Sequence, residues 1–174
     1  MPPSDFWNHN ALLVSPENMR LLQECLDTLF SWKKTLYEKR ENAVGYQLRQ
    51  NGEQALLYLE AAPWAGQLDK ALHRLRKVDQ ELDQALQRQE AASPASVDHF
   101  GVRVESLEEW QQRLRIAKRL EKDRPDLHLK VTVIEKPVTK GGREYQVHQC
   151  YIKIGLLGPV RNTFEMSCIV PSVS

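Results

Sequence analysis

The chain has 174 residues, which suits one domain of ordinary size or two small modules that share a core. Its 24 Lys and Arg nearly balance its 23 Asp and Glu, so charge gives no reason to expect nucleic acid or an anionic membrane as a partner. Three widely spaced cysteines, no signal-peptide pattern and no apolar stretch near the roughly 18 residues of a membrane span together predict a cytoplasmic protein.

The chain opens with a short apolar strand that feeds a helix. His9 stands at the start of the strand, and Ser15 followed by Pro16 favours a helix start, because Ser caps free amides and Pro has no N–H to leave unpaired. Apolar residues recur at helical spacing as far as Leu36. We therefore predict a helix from Pro16 to about Arg40.

Two strands follow this helix. Residues 44–50 and 53–60 flank Asn51-Gly52, a pair that tolerates positive φ and so favours a two-residue hairpin. The first module, residues 1–61, is therefore predicted to have the order β-α-β-β.

Residues 62–91 predict one long helix with a narrow apolar stripe and charged or amide side chains elsewhere. Such a helix suits packing against another helix in a homodimer, and it equally suits a connector that lies across the sheet of its own chain. Ala92 to Ser96 ends it, so residues 62–96 are predicted to be a connecting segment.

The second module, residues 97–174, repeats the order with one more strand. Ser106 and Glu109 form a capping box that begins a helix running to about Asp123, where Pro125 stops it. Three strands follow, at 127–136, 144–154 and 163–170.

Alternation along the strands predicts which side chains share a face. On the strand after Asp98, His99 and Arg103 point to one side, and the apolar residues between them point to the other. On the last strand, Glu165 lies opposite the face of Phe164 and Met166. With the apolar faces under the helix, His99, Arg103 and Glu165 are expected to face the same cavity.

Both modules open on a similar motif, Asn8-His9 before an apolar strand and Asp98-His99 before another, and the second closes on Phe164-Glu165 after a Gly-Pro turn. In these motifs and in the tandem order of its elements the chain resembles the vicinal oxygen chelate superfamily. That superfamily includes glyoxalases, extradiol dioxygenases, methylmalonyl-CoA epimerase, and fosfomycin and bleomycin resistance proteins.

The resemblance implies an α+β fold of tandem βαβββ modules that form a curved mixed sheet around a cavity. It implies that His9, His99 and Glu165 hold a divalent metal, Zn, Fe, Mn, Co or Ni, with positions left for adjacent oxygens of a substrate. Glu60 stands where some members have a fourth ligand, so it is a further ligand or a general base. Arg103 is expected to contact the substrate.

The first module departs from this pattern, because its distance from His9 to Glu60 is shorter by about one strand than the distance from His99 to Glu165. Its sheet is therefore expected to be incomplete.

Two functions follow from these observations. The first is a metal-dependent enzyme of the vicinal oxygen chelate type, a lyase, isomerase or dioxygenase that acts on a small oxygenated molecule, with Glu60 and Glu165 in catalytic roles. The second is a metal-free protein of the same fold that binds or sequesters a small molecule or serves in an assembly, because a fold does not decide an activity.

Overall fold

The structure, a computed structural model, describes residues 9–35, 43–50, 53–158 and 162–172. The chain divides into two compact units, residues 1–72 and 73–174. Each unit holds a four-stranded mixed sheet in the order βαβββ, so the predicted α+β class and tandem modules are confirmed. The predicted division into residues 1–61, 62–96 and 97–174 is not tested by these two units and stays a prediction.

The first unit carries a sheet with the strand order β1-β4-β3-β2. Strand β1 runs parallel to β4, and the other neighbours are antiparallel. Its elements are β1 (His9–Val14), α1 (Pro16–Phe30), β2 (Lys33–Thr35), β3 (Ala43–Gln50) and β4 (Glu53–Ala61), and helix α2 (Pro63–Leu75) follows.

Helix α1 begins as predicted and ends earlier, so its predicted extent to Arg40 is wrong. Ser31 adopts a left-handed φ of 50°, and its N–H donates to the carbonyl of Asp27 at 3.1 Å, which closes the helix. The ring of Trp32 then stacks on Phe30 with centroids 4.2 Å apart. The chain leaves this stack directly into β2.

The first sheet was predicted to lack one strand, and this prediction is wrong because β2 is present. Its three residues pair with β3 in antiparallel register, from Lys33 opposite Gln47 to Thr35 opposite Gly45. The first module therefore has all four strands of the βαβββ order, and it is shorter than the second because β2 has only three residues. The predicted hairpin turn at Asn51-Gly52 lies outside the described residues.

The predicted single helix over 62–91 is two helices, α2 and α3 (Gln80–Ala91). Asp79 interrupts it with an extended backbone, and its carboxylate accepts a hydrogen bond from the N–H of Leu82 at 3.0 Å. Arg76, just before the break, forms ion pairs with Asp83 and Glu90 of α3. The apolar residues keep their helical spacing across 62–91, which is why one helix was predicted. The side chain of Asp79 instead caps the start of a second helix.

The second unit carries a sheet with the order β5-β8-β7-β6, in which β5 runs parallel to β8. Its module consists of β5 (His99–Arg103), α4 (Leu107–Asp123), β6 (Leu129–Lys140), β7 (Arg143–Ile154) and β8 (Thr163–Pro171). The elements agree with those predicted, and no helix in the described part of the chain is long and apolar enough to span a membrane.

Helix α4 covers one face of the second sheet. The hydroxyl of Ser106 accepts a hydrogen bond from the N–H of Glu109 at 3.1 Å, which is one half of the predicted capping box. Trp110 is buried, and its indole N–H donates to the carbonyl of Met166 on β8 at 3.1 Å. Phe164, Met166 and Cys168 of β8 are buried, which leaves the alternate residues of the strand to the opposite face.

Candidate functional site

The face of the second sheet opposite α4 carries mostly polar side chains. Because cross-strand partners lie on the same face, register defines rows across this face. One row consists of Lys130, Lys153, Thr163 and His99, and the next consists of Thr132, Tyr151, Glu165 and Gly101. This face therefore gathers cations, hydroxyls, an imidazole and a carboxylate.

His99 and Glu165, which alternation predicted to share a face, are in direct contact. The imidazole Nε2 lies 2.9 Å from Oε2 of Glu165, and the two side chains are 29% and 13% exposed. Parallel pairing places Glu165 opposite Gly101, two residues along from His99, and the absence of a side chain at Gly101 leaves the space between them open. The backbone thus brings the two groups together.

The contact of the other ring nitrogen of His99 bears on the tautomer of its neutral ring. Nδ1 lies 2.8 Å from the carbonyl oxygen of Val97, which can only accept, so Nδ1 must carry a hydrogen. In a neutral imidazole Nε2 is then a lone pair that faces a carboxylate oxygen. Two acceptors at 2.9 Å repel each other unless a proton or another cation lies at the contact.

Two residues of β7 hold Glu165, and the sequence analysis did not identify either of them. The amide Nε2 of Gln149 donates to Oε1 of Glu165 at 2.9 Å. The ring of Tyr151 packs edge-on against His99, with centroids 5.6 Å apart. Burial first, and then the charge of and a hydrogen bond with Glu165, raise the pKa of Tyr151 to about 12. The signal that could have found both is their alternation with buried Cys150 and Ile152.

The other predicted site residues lie in different positions. Arg103 lies on β5, exposed and opposite Ser167, on the same face of the sheet as His99. Glu60 lies on β4 of the first unit, half-buried and opposite Ala43. His9 begins β1, with its backbone opposite Leu56, and its side chain lies outside the described residues. The roles predicted for these three residues stay predictions.

The His99–Glu165 pair suits two positions of a divalent metal site. With metal bonds of about 2.0–2.2 Å, neighbouring nitrogen and oxygen ligands lie about 3 Å apart in an octahedral site, close to the observed 2.9 Å, and about 3.4 Å apart in a tetrahedral one. The bond from Nδ1 to a backbone carbonyl orients the ring and leaves Nε2 for an ion, as in known metal sites. Within the described residues no group of three or more His, Cys, Asp and Glu comes together.

The fold that the resemblance implies is present, since two βαβββ modules follow each other and each has its first strand beside its last. No protein-family model matches the chain, and no curated protein sequence matches it.

Solved structures match the chain at low sequence identity. A lactoylglutathione lyase from Agrobacterium tumefaciens is 13% identical, with a TM-score of 0.44 over 96% of this chain and 95% of that one. The fosfomycin resistance protein FosX from Listeria monocytogenes is 11% identical, with a TM-score of 0.40 over 98% of this chain and 94% of that one. A glyoxalase family protein from Enterococcus faecalis is 11% identical, with a TM-score of 0.39 over 97% of this chain and all of that one.

Proposed function

We propose that this protein is a divalent-metal-dependent enzyme of the vicinal oxygen chelate type that acts on a small oxygenated molecule. The observation that carries the proposal is the contact between His99 Nε2 and Glu165 Oε2, because the hydrogen bond to Val97 leaves two acceptors facing each other. A divalent cation satisfies both at once. The reaction is that of a lyase, an isomerase or a dioxygenase.

In this proposal His99 and Glu165 supply two ligands, and His9 supplies a third. When bound, the ion acts as a Lewis acid on a carbonyl or enolate oxygen of the substrate, or as a site for dioxygen. Zn, Fe, Mn, Co and Ni all accept such a set of nitrogen and oxygen ligands.

The side chains around the pair then have distinct tasks. The carbonyl of Val97 keeps His99 in the tautomer with a free Nε2, and Gln149 and Tyr151 hold the carboxylate of Glu165 in place. Arg103 binds an oxygen-rich part of the substrate. Glu60 is a fourth ligand or the general base, and Glu165 contributes its charge at the reacting atoms.

Metal content tests the proposal directly. Protein from cells supplied with Fe, Mn, Ni and Zn should carry close to one metal ion per chain, and His99→Ala and Glu165→Gln should lose it. His9→Ala should weaken metal retention if His9 is the third ligand. His73→Ala is the matched control, because His73 is an exposed histidine of α2 and its removal should leave the metal content unchanged.

A second function, metal-free binding of a small molecule, is favoured by the same contact if a proton takes the place of the ion. His99 is then an imidazolium paired with Glu165. Wild-type protein without stoichiometric metal under all four supplements, with both ring nitrogens of His99 protonated by NMR, would exclude the enzyme and support this alternative.

The proposed location is the cytoplasm, and the three cysteines support it. None of Cys25, Cys150 and Cys168 forms a disulfide, and all three are buried. A homodimer is proposed as well, and the mass of the protein in solution, 20.1 kDa or twice that value, decides it.

A further inference from the structure

A pocket of about 330 Å³ lies within the second unit beside the His99–Glu165 pair, although neither His99 nor Glu165 is part of its lining. Its floor is the polar face of the sheet, and its wall is the end of α3 with the segment that leads to β5. The floor consists of Lys130, Thr132, Tyr151, Lys153 and Thr163, and Asn162 lies at its edge. A pocket of this volume suits a small molecule.

Two lysines meet in this floor. Lys130 of β6 and Lys153 of β7 are direct cross-strand partners, and both line the pocket. Like charges directly opposite each other destabilise a sheet. Neither lysine forms an ion pair anywhere in the part of the chain that the structure describes. The sheet thus carries a repulsive pair that its own carboxylates do not offset.

Two acidic residues also line the pocket. Glu90 lines the pocket, and its carboxylate accepts a hydrogen bond from Arg76 at 2.8 Å. Asp98 is the other acidic residue of the lining. The two lysines and two carboxylates of the lining sum to no net formal charge, and Glu90 is already paired with Arg76. What distinguishes the floor is therefore two cross-strand lysines that form no ion pair within the described residues.

We propose that this pocket binds the oxyanion group of a small molecule, a carboxylate or a phosphoryl group, between Lys130 and Lys153. Each ammonium offers three donors, and the hydroxyl of Thr132 lies in the next row of the same face. Charge-assisted hydrogen bonds from both lysines offset their mutual repulsion when the anion binds. Tyr151 lines the pocket and contacts the ring of His99, so a ligand held here extends toward the His99–Glu165 pair.

The experiment titrates inorganic phosphate and, in a parallel arm, malonate, into the full chain at constant ionic strength, with calorimetry as the readout. Saturable binding of either anion is expected, and the arm with the tighter binding identifies the oxyanion. Lys130→Ala and Lys153→Ala should each weaken it by about tenfold, the equivalent of one charge-assisted hydrogen bond.

Lys136→Ala is the matched control, because it removes the same charge from the same strand outside the pocket. It should bind as the wild type does. No saturable binding of either anion, or equal binding by all three lysine variants, would overturn the proposal. Lys130→Glu adds a variant at an exposed position whose folding is readily kept, and it should abolish binding.

The proposal does not depend on the metal. Chelator-treated wild type and His99→Ala should bind the anion as the untreated protein does. If the protein binds the anion but carries no metal, the pocket proposal is supported and the metal proposal fails. If it carries metal but does not bind the anion, the metal proposal is supported and the pocket proposal fails.

Discussion

At the scale of single residues, one hydrogen bond determines the chemistry of the candidate site. Because the carbonyl of Val97 takes the Nδ1 hydrogen of His99, the nitrogen that faces Glu165 has no hydrogen of its own in the neutral ring. A single backbone acceptor thus favours the tautomer of neutral His99 in which a lone pair faces Glu165. Histidine at a strand start does not by itself imply this.

Tyr151 reports on the charge of Glu165. Its pKa is raised to about 12 from 10.0, by burial first and then by the charge of and a hydrogen bond with that carboxylate. Glu165→Gln removes the charge, so the pKa of Tyr151 should fall, while burial keeps it above 10. Phenolate absorbance followed against pH measures this, with Tyr151→Phe identifying the signal among the five tyrosines. An unchanged pKa of Tyr151 would mean that the side chain of Glu165 does not contribute to raising it.

At the scale of elements, caps decide where helices begin and end. The apolar stripe over 62–91 continues at helical spacing, yet Asp79 divides it into α2 and α3. Ser31 ends α1 in a similar local way, well before the apolar pattern ends. A periodic pattern indicates which face is buried, and the backbone at one residue decides whether the helix is continuous.

Asp79→Ala tests the cap of α3. The carboxylate of Asp79 accepts from the N–H of Leu82, and loss of such a cap costs about 1 kcal/mol. The free energy of unfolding in urea should fall by that amount. Asp79→Asn is the control, because Asn caps equally well and should leave stability close to that of the wild type. Equal stability of the Ala and Asn variants would show that the cap does not hold the break.

Strand register determines which side chains of neighbouring strands lie beside each other. Alternation assigns each side chain to a face, but it does not say which residues of two strands lie opposite each other. The pairing of Lys130 with Lys153, and of Tyr151 with Glu165, depends on that register. The oxyanion pocket and the support of Glu165 are therefore products of pairing between strands.

At the scale of the whole molecule, each unit buries its own core. In the first, Leu22, Leu26 and Leu59 have no exposed surface, and in the second Trp110, Ile152 and Met166 are almost completely buried. Cys150 and Tyr151 belong to the second core, so their ionisation is coupled to its stability.

Stability should therefore fall in alkali. Burial raises the pKa of Cys150 from 9.0 to about 12 and is the largest cause of the raised pKa of Tyr151. The unfolded chain releases these protons first, so the stability they contribute is present below about pH 9 and is lost as the pH rises toward 12. Urea unfolding near neutral pH and above pH 10 measures this loss. Cys150→Ala should lose less stability between these two pH values than the wild type does. An equal loss of stability in that variant would contradict the role of Cys150.

The sequence predicts most of the second module correctly. Its capped helix, its strands and the shared face of His99 and Glu165 all follow from short-range patterns that the structure bears out. It predicts less of the first module, where β2 is only three residues long and has no pattern of its own. Such a strand exists because β3 offers it a partner.

The sequence alone determined the fold class, the order of the elements in the second module and the presence of His99 and Glu165 on one face, because period-two alternation and helix caps act over a few residues. Only the tertiary structure decided that Val97 fixes the tautomer of His99, that Gln149 and Tyr151 hold Glu165, and that Lys130 meets Lys153. The contact with Val97 is local, between residues two apart, and depends on the backbone conformation just before β5. The other contacts join residues on separate strands, and their geometry exists only once the strands have paired in one register.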